Sequence, residues 1–168
     1  MIAIRRLVSG DLEDYRTIRL AALWGDPVTF GSTYEAEVER PLSHFEQRLA
    51  ASTVFAAHDD ARIVGMAGFM RESGLKERHK GFLWGMYVAP EARGLSVGRA
   101  LVQSVVDHAA EVVEQIILTV TQGNEPAIAL YESLGFAVYG VEPRALRSAD
   151  GYHDDVLMVK FLPRAASR

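Results

Sequence analysis

Pro90 to Ala109, PEARGLSVGRALVQSVVDHA, is the stretch on which the reading of this chain turns. Ahead of it, Phe82 to Val88 is an apolar, aromatic run of strand length. From Val97 on, Leu101, Val105, Ala109 and Val112 recur at helical spacing. The order is strand, glycine-bearing turn, helix. Such a turn aims several main-chain N–H groups one way at the positive end of a helix dipole, where a phosphate or diphosphate can be held. The expected ligand is therefore anionic. The turn lacks the Gly-Lys-Ser/Thr ending of a P-loop, and its glycines miss the G-x-G-x-x-G dinucleotide spacing. Both nucleotide readings fall, while a helix start that holds no ligand stays open.

The 168 residues suffice for one domain with a proper core, and 49% hydrophobic content with a net charge of −4 is that of a globular protein. Mild acidity without a Lys/Arg cluster argues against nucleic acid as a partner. With no cysteine, a disulfide framework, a thiolate zinc site and cysteine catalysis are excluded. His44, His58, His79, His108 and His153 lack the i, i+4 spacing of a helical metal pair, so no metal is implied. No segment approaches the roughly 18 apolar residues of a membrane span, and the N-terminus alternates like a strand. The expected location is cytoplasmic, with no membrane partner.

Taken in order, Ile2 to Val8 reads as a strand, and Asp11 as the cap of a helix through about Trp24 that Pro27 stops. Residues 29–41 form a loop too long for a simple connector, with Glu35, Glu37 and Glu39 beside Phe30 and Tyr34. It can receive a cationic amine or be a solvated acidic loop. Ser43 and Glu46 suggest a capping box for a helix to about Ala51. A hairpin follows, Thr53 to His58 and Arg62 to Phe69, in which Gly65 and Gly68 suggest a bulge or a close approach. Residues 71–80 should be an exposed loop. Gly85 again points to a bulge. Gln115 to Thr121 reads as a strand buried on both faces. Asn124 or Glu125 caps a helix with Pro126 in its first turn, ended by Gly135 with Phe136 packing back. Phe136 to about Leu146 and Tyr152 to Phe161 complete the sheet around an Asp150-Gly151 turn.

Two motifs in this order resemble those of the GCN5-related N-acetyltransferase (GNAT) family. Arg93 to Gly98 is similar to its acetyl-CoA loop, Arg/Gln-x-x-Gly-x-Gly/Ala. Asn124 to Phe136, NEPAIALYESLGF, is similar to the second motif, where an asparagine, an alanine and a tyrosine lie along the cofactor. The departure is Ser96, where the middle glycine is expected. Helical φ/ψ is the conformation expected for Ser96, leaving its hydroxyl harmless or an added donor to phosphate. A left-handed serine would cost roughly 1 kcal/mol or more. The resemblance spans residues 2–162 and is tightest over 82–136.

That resemblance implies an α/β (α+β) GNAT fold: a mixed, mostly antiparallel sheet of six to seven strands, helices on both faces and a splayed central strand pair. A single domain over 1–162 and a tail over 163–168 are expected. Acetyl-CoA would be the co-substrate and a primary amine, small-molecule or peptide, the acceptor, in a ternary complex. The main chain of Met86, Tyr87 and Val88 would bind pantetheine. The N–H groups over Gly94, Leu95, Ser96, Val97, Gly98 and Arg99 would take the pyrophosphate, with charge from Arg93 and Arg99, and Asn124, Ala127 and Tyr131 would line the cofactor. Tyr131 is the candidate acid and the Val88 N–H the oxyanion donor. A lysine-like acceptor costs roughly 4.6 kcal/mol to deprotonate at pH 7, an α-amine about 1, so a lysine or polyamine needs a real base or strong desolvation. Glu35, Glu37, Asp154 and Asp155 are the carboxylates considered, and Tyr34, Trp84 and Tyr87 candidate walls or core. A non-catalytic acyl-CoA sensor is the alternative function. Exposed sheet edges make a homodimer reasonable.

Overall fold

A computed structural model describes residues 1–163. Of the expected tail, residues 164–168 lie outside the described residues. The strands are β1 (Ile2–Arg6), β2 (Thr53–Asp59), β3 (Arg62–Arg71), β4 (Lys80–Val88), β5 (Gln115–Thr121), β6 (Ala137–Ser148) and β7 (Gly151–Phe161). The helices are α1 (Leu12–Gly25), α2 (Tyr34–Glu37), α3 (Leu42–Ala51), α4 (Val97–Ala109) and α5 (Glu125–Ser133). The sheet order is β1-β2-β3-β4-β5-β7-β6. Pairs β1/β2, β2/β3, β5/β7 and β6/β7 are antiparallel and β4/β5 is parallel, the mixed, mostly antiparallel sheet expected.

The chain forms two compact units, one of Met1–Met70 with Leu83–Val105, the other of Arg71–Phe82 with the described residues from Val106 on. In the first, Tyr15, Leu23, Phe45, Met66 and Leu101 are fully buried, and the Tyr15 and Phe45 rings meet edge-on at 6.2 Å. The glycines of β3 make this packing possible. A Cβ on Gly65 would lie 3.0 Å from Leu101 Cδ1 and from the Tyr87 carbonyl oxygen, and one on Gly68 would lie 2.4 Å from the Trp84 ring. Close approach accounts for both glycines, and the ladder also shifts register beside Gly65, where Val64 is passed over between the pairs Ala57–Gly65 and His58–Ile63.

Several local expectations are corrected by tertiary partners. Asp11 precedes α1 without capping it. Its carboxylate instead accepts the Val8 N–H at 2.8 Å and both terminal nitrogens of Arg5 at 2.8 and 2.7 Å, and the Arg5 guanidinium holds it at a pKa of about 2. The capping box at Ser43 and Glu46 does not form. Pro41, with its φ fixed near the helical value, stands at the cap, and α3 begins at Leu42. The long acidic loop contains α2, whose first turn is capped by the Thr33 hydroxyl accepting from Ala36 N–H at 3.1 Å. Glu37 at its end is 3% exposed. Burial alone would push its carboxyl up, but Arg19 and Arg48 outweigh that and hold it at about 2.

In the second unit, one face of β5 is fully covered and the other only in part, at Thr121. Ile116, Leu118 and Val120 are covered, Thr119 is exposed, and Gln115 and Ile117 are half-buried, the period of two that a strand imposes. Among the described residues β5 pairs with β4 over Gln115–Ile117 against Lys80–Phe82, and with β7 along its whole length.

Replacing Gly68 with Ala forces the Trp84 ring to move and should lower stability by about 1–3 kcal/mol in urea unfolding, whereas Gly10→Ala, with nothing within 4 Å, should stay within about 0.5 kcal/mol. Asp11 and Glu37 both have depressed folded-state pKa values, so their stabilisation is full above roughly pH 4.5 and is lost as pH falls through about 2. The urea midpoint should drop across that window, less steeply in Glu37→Gln.

Candidate active site

The turn into α4 is built by two reversals of backbone hand. After the 3₁₀ turn Pro90–Ala92, Arg93 is extended, Gly94 has φ +77° and Ser96 φ +61°, with Leu95 outside the left-handed region. Ser96 is thus not a first-turn helical residue, contrary to expectation. It stands just before α4 with its carbonyl accepting the Ala100 N–H at 3.1 Å, and it has the hand at which glycine is the easy choice. Alternation of hand turns successive N–H groups toward one side, the geometry of a main-chain anion nest. Residues 93–96 are exposed, and a Cβ at Gly94 would meet nothing within 4 Å, so the nest is open to a ligand.

Arg93 fixes this turn against β4. Its Nε donates to the Val88 carbonyl at 3.0 Å, and its Nη2 to Asp26 at 3.1 Å. The expected phosphate cation is therefore partly engaged in holding the strand end and the loop together. Arg99 is exposed in the first turn of α4, Gly98 is half-buried and Val97 is core.

Within β4, Gly85 has φ +65°, the break in strand geometry expected there. Met86 and Val88 beyond it are half-buried, whereas the Tyr87 side chain is buried, its hydroxyl 3.5 Å from where a Cβ on Gly25 would stand, and burial pushes its pKa up. Only the main chain of Tyr87 remains for a ligand. Trp84 is half-buried against Gly68, and its indole N–H is buried without a partner. Tyr34 is half-buried edge-on to Trp24 at 5.1 Å, and Glu35 is exposed.

The second unit gathers the other motif. Asn124 caps α5, its side-chain oxygen accepting the Ala127 N–H at 3.4 Å, so that group serves the helix. One face of α5 carries half-buried Ala127 and buried Tyr131, whose ring meets Phe136 edge-on at 5.8 Å. Burial pushes the Tyr131 hydroxyl well above its usual pKa. Gly135 has φ +89° and closes the helix, while Phe136 N–H returns to the Tyr131 carbonyl at 3.0 Å.

Asp154 and Asp155 part company. The Asp154 carboxylate accepts the Arg144 N–H at 2.7 Å, holding the irregular stretch of β6 where Arg144 has φ +53°. Asp155 is buried opposite Thr121 of β5 and Glu142 of β6, and burial, then Glu142 and Asp154, pushes its carboxyl up. The Thr121 carbonyl takes the Asn124 N–H at 3.1 Å, so Asp155 stands level with the start of α5. A buried carboxyl of raised pKa is a proton acceptor in waiting. Among the described residues no group of three or more His, Cys, Asp or Glu is placed to hold a metal ion.

Arg19 and Arg48, which bracket Glu37, escaped the sequence reading. The available signal was Arg19 on the apolar stripe of α1 with Tyr15, Ile18 and Ala22, where a charge needs a partner.

The sheet is mixed and seven-stranded, and an exposed left-handed turn opens the helix after its fourth strand. The model of the acetyltransferase (GNAT) family matches residues 19–136, and the chain belongs to that family. The family is one of acetyltransferases, and the exposed turn before α4 lies within the matched residues. Its 32% identity over 146 residues to uncharacterized protein ML0378 of Mycobacterium leprae covers 76% of this chain, which spans only 40% of that protein's length. The L-amino acid N-acyltransferase MnaT of Escherichia coli is 22% identical over 136 residues, 80% of this chain and 75% of that protein. The structure of yncA from Salmonella typhimurium, solved with its cofactor acetyl-CoA, shares the fold at TM-score 0.84 and 22% identity, covering 100% of this chain and 98% of that one.

Ser96→Gly relieves the left-handed serine and should raise stability by up to about 1 kcal/mol, while Ser96→Val should lower it. Urea midpoints of the two variants check the sign.

Proposed function

We propose that this chain transfers acetyl from acetyl-CoA directly to a primary amine in a ternary complex, with residues 1–162 working as one acetyltransferase domain. The observation that carries the reading is the turn at Gly94 and Ser96, two left-handed residues in an exposed stretch just before α4. N–H groups over 94–99 hold the pyrophosphate, and Arg93 and Arg99 add local positive charge to an acidic protein. The main chain of Met86 and Val88 binds pantetheine as an added strand would. Acetyl-CoA, so held, supplies a thioester acyl group.

The Val88 N–H meets the negative charge that develops on the thioester oxygen. Tyr131 hydrogen-bonds the departing sulfur. Full proton transfer from an ordinary phenol to a thiolate is already uphill by roughly 2 kcal/mol, and the raised pKa of Tyr131 makes it steeper. Tyr131 therefore acts as a hydrogen-bond donor that stays protonated throughout the physiological range. Asp155 takes the amine proton. Its pKa is raised, so the rate should climb with pH as the carboxyl ionises. The E. coli relative is named for an L-amino acid acceptor, but at 22% identity the acceptor here has to be argued from this chain's own residues.

Thiol release from acetyl-CoA against α-amino peptides, polyamines, aminoglycosides and amino-acid analogues tests the reading. Tight CoA binding with no release for any amine would mark a non-catalytic acyl-CoA sensor instead. Tyr131→Phe should lower kcat about 100-fold with CoA affinity nearly unchanged, and an unaltered rate removes Tyr131 from the mechanism.

A further inference from the structure

Beneath β4 in the first compact unit, two arginines share one carboxylate. Arg19 of α1, 6% exposed, donates from Nε to Glu37 Oε2 at 3.1 Å and from Nη2 to Oε1 at 2.9 Å. Arg48 of α3 donates from Nη1 to the same two oxygens at 3.3 and 3.4 Å. Among the described residues no second carboxylate bonds either guanidinium, so the cluster carries one positive charge in excess. The neighbouring groups do not offset it. Arg16 donates to the Val38 carbonyl and Arg40 to the Ala36 carbonyl, and the pKa of His44 is lowered by burial and by Arg48. The Arg48 side chain is 25% exposed and water reaches it, whereas that of Arg19 at 7% is nearly dry, and a charge held there gains from an anion that completes it.

One donor of Arg19 is left over. Glu37 engages Nε and Nη2 of Arg19, while Nη1 makes no hydrogen bond and lies 3.8 Å from where a Cβ on Gly85 would stand. That glycine, at φ +65°, keeps β4 from covering the nitrogen. The Phe30 ring lies 5.5 Å from the Arg19 guanidinium carbon and the Trp84 ring 5.8 Å from that of Arg48. The indole N–H of Trp84 is buried with no acceptor. The place is rich in donors and positive charge, with Glu37 its one carboxylate bonded to the arginines among the described residues, flanked by two aromatic rings, and one residue before Met86. Glu37 ties α2 to α1 and α3 through both guanidiniums, with the Tyr15 hydroxyl beside Arg48, and one positive charge and Arg19 Nη1 are left over.

We infer that Arg19 Nη1 and Arg48 receive a carboxylate of the acceptor, so that the substrate class is amines bearing a carboxylate, amino acids and their close analogues, and not bare amines or polyamines. This rests on the acetyltransfer reading above, which puts the acyl end of the donor at Met86 and Val88. A planar carboxylate matches a guanidinium fork, and a polyamine would meet like charge.

The test uses the full chain and matched acceptors: phenylalanine against phenethylamine, histidine against histamine, lysine against cadaverine, each followed by thiol release. At least one amino acid should exceed its decarboxylated partner in kcat/KM by about 100-fold or more, mainly through KM. Arg48→Gln and Arg19→Lys, the latter keeping a cation for Glu37, should each cut that ratio at least about tenfold. Circular dichroism and the thermal shift with CoA confirm that both variants are folded. Ratios near one, or ratios unmoved in both variants, overturn the inference and leave the acetyltransferase reading standing. Preference for malonyl- or succinyl-CoA over acetyl-CoA, lost in the variants, would assign the carboxylate to the acyl group and also overturn it. Calorimetry with N-acetylphenylalanine and N-acetylphenethylamine reads the same site without turnover. Arginine-dependent binding of the first alone, with no thiol release for any amine, keeps the carboxylate site and sinks the reaction, while equal binding of the two sinks the site.

Discussion

Two adjacent strands that run the same way cannot be joined by a hairpin, and that constraint shapes this molecule. Because β4 and β5 are parallel, the chain must leave the end of β4 and travel back before β5 can start, and α4 is the return path. The N-terminal end of α4 is therefore reached soon after the end of β4, through the 3₁₀ turn Pro90–Ala92. The reversals at Gly94 and Ser96, and the fork of Arg93 onto the Val88 carbonyl, are the local means of making so abrupt a change of direction. The exposed turn at the head of α4 is a by-product of topology, finished by a few side chains.

Much of this is legible in the residues because it is local. A glycine turn between an aromatic strand and an apolar helix, and an Asn-Glu-Pro start with a Leu-Gly-Phe stop, constrain the backbone within a few positions. The misreadings come from partners distant in sequence. Asp11 looks like a cap until Arg5, on the preceding strand, claims it. Glu37 looks like one solvated acid among three, yet its arginines lie 18 and 11 residues away and draw it into the interior. Ser96 is compatible with either hand, and only the path from the 3₁₀ turn into α4 selects the left-handed one. Aspartates 154 and 155 are indistinguishable as letters, and the pleat separates them, one to Arg144 and one to the strand interior.

The tyrosines show the same division between letter and place. Tyr87 and Tyr131 are both buried and both hold their protons more tightly than usual. Tyr87 spends its ring on the core and keeps only its main chain for a ligand, whereas Tyr131 projects from the helix capped by Asn124. Charge is likewise a matter of position. The chain is acidic in sum, but its positive groups cluster at Arg19 with Arg48 and along Arg93 and Arg99.

The indole of Trp84 occupies space that Gly68 vacates, so the two positions are a single volume divided between neighbouring strands. Neither can drift alone: a bulkier residue at 68 evicts the ring, and a smaller one at 84 leaves a void that only growth at 68 could refill. Among descendants of such a sequence, exchanges at these two sites should be inherited as a pair, and a designer wishing to reshape this wall would have to rewrite both strands in one step.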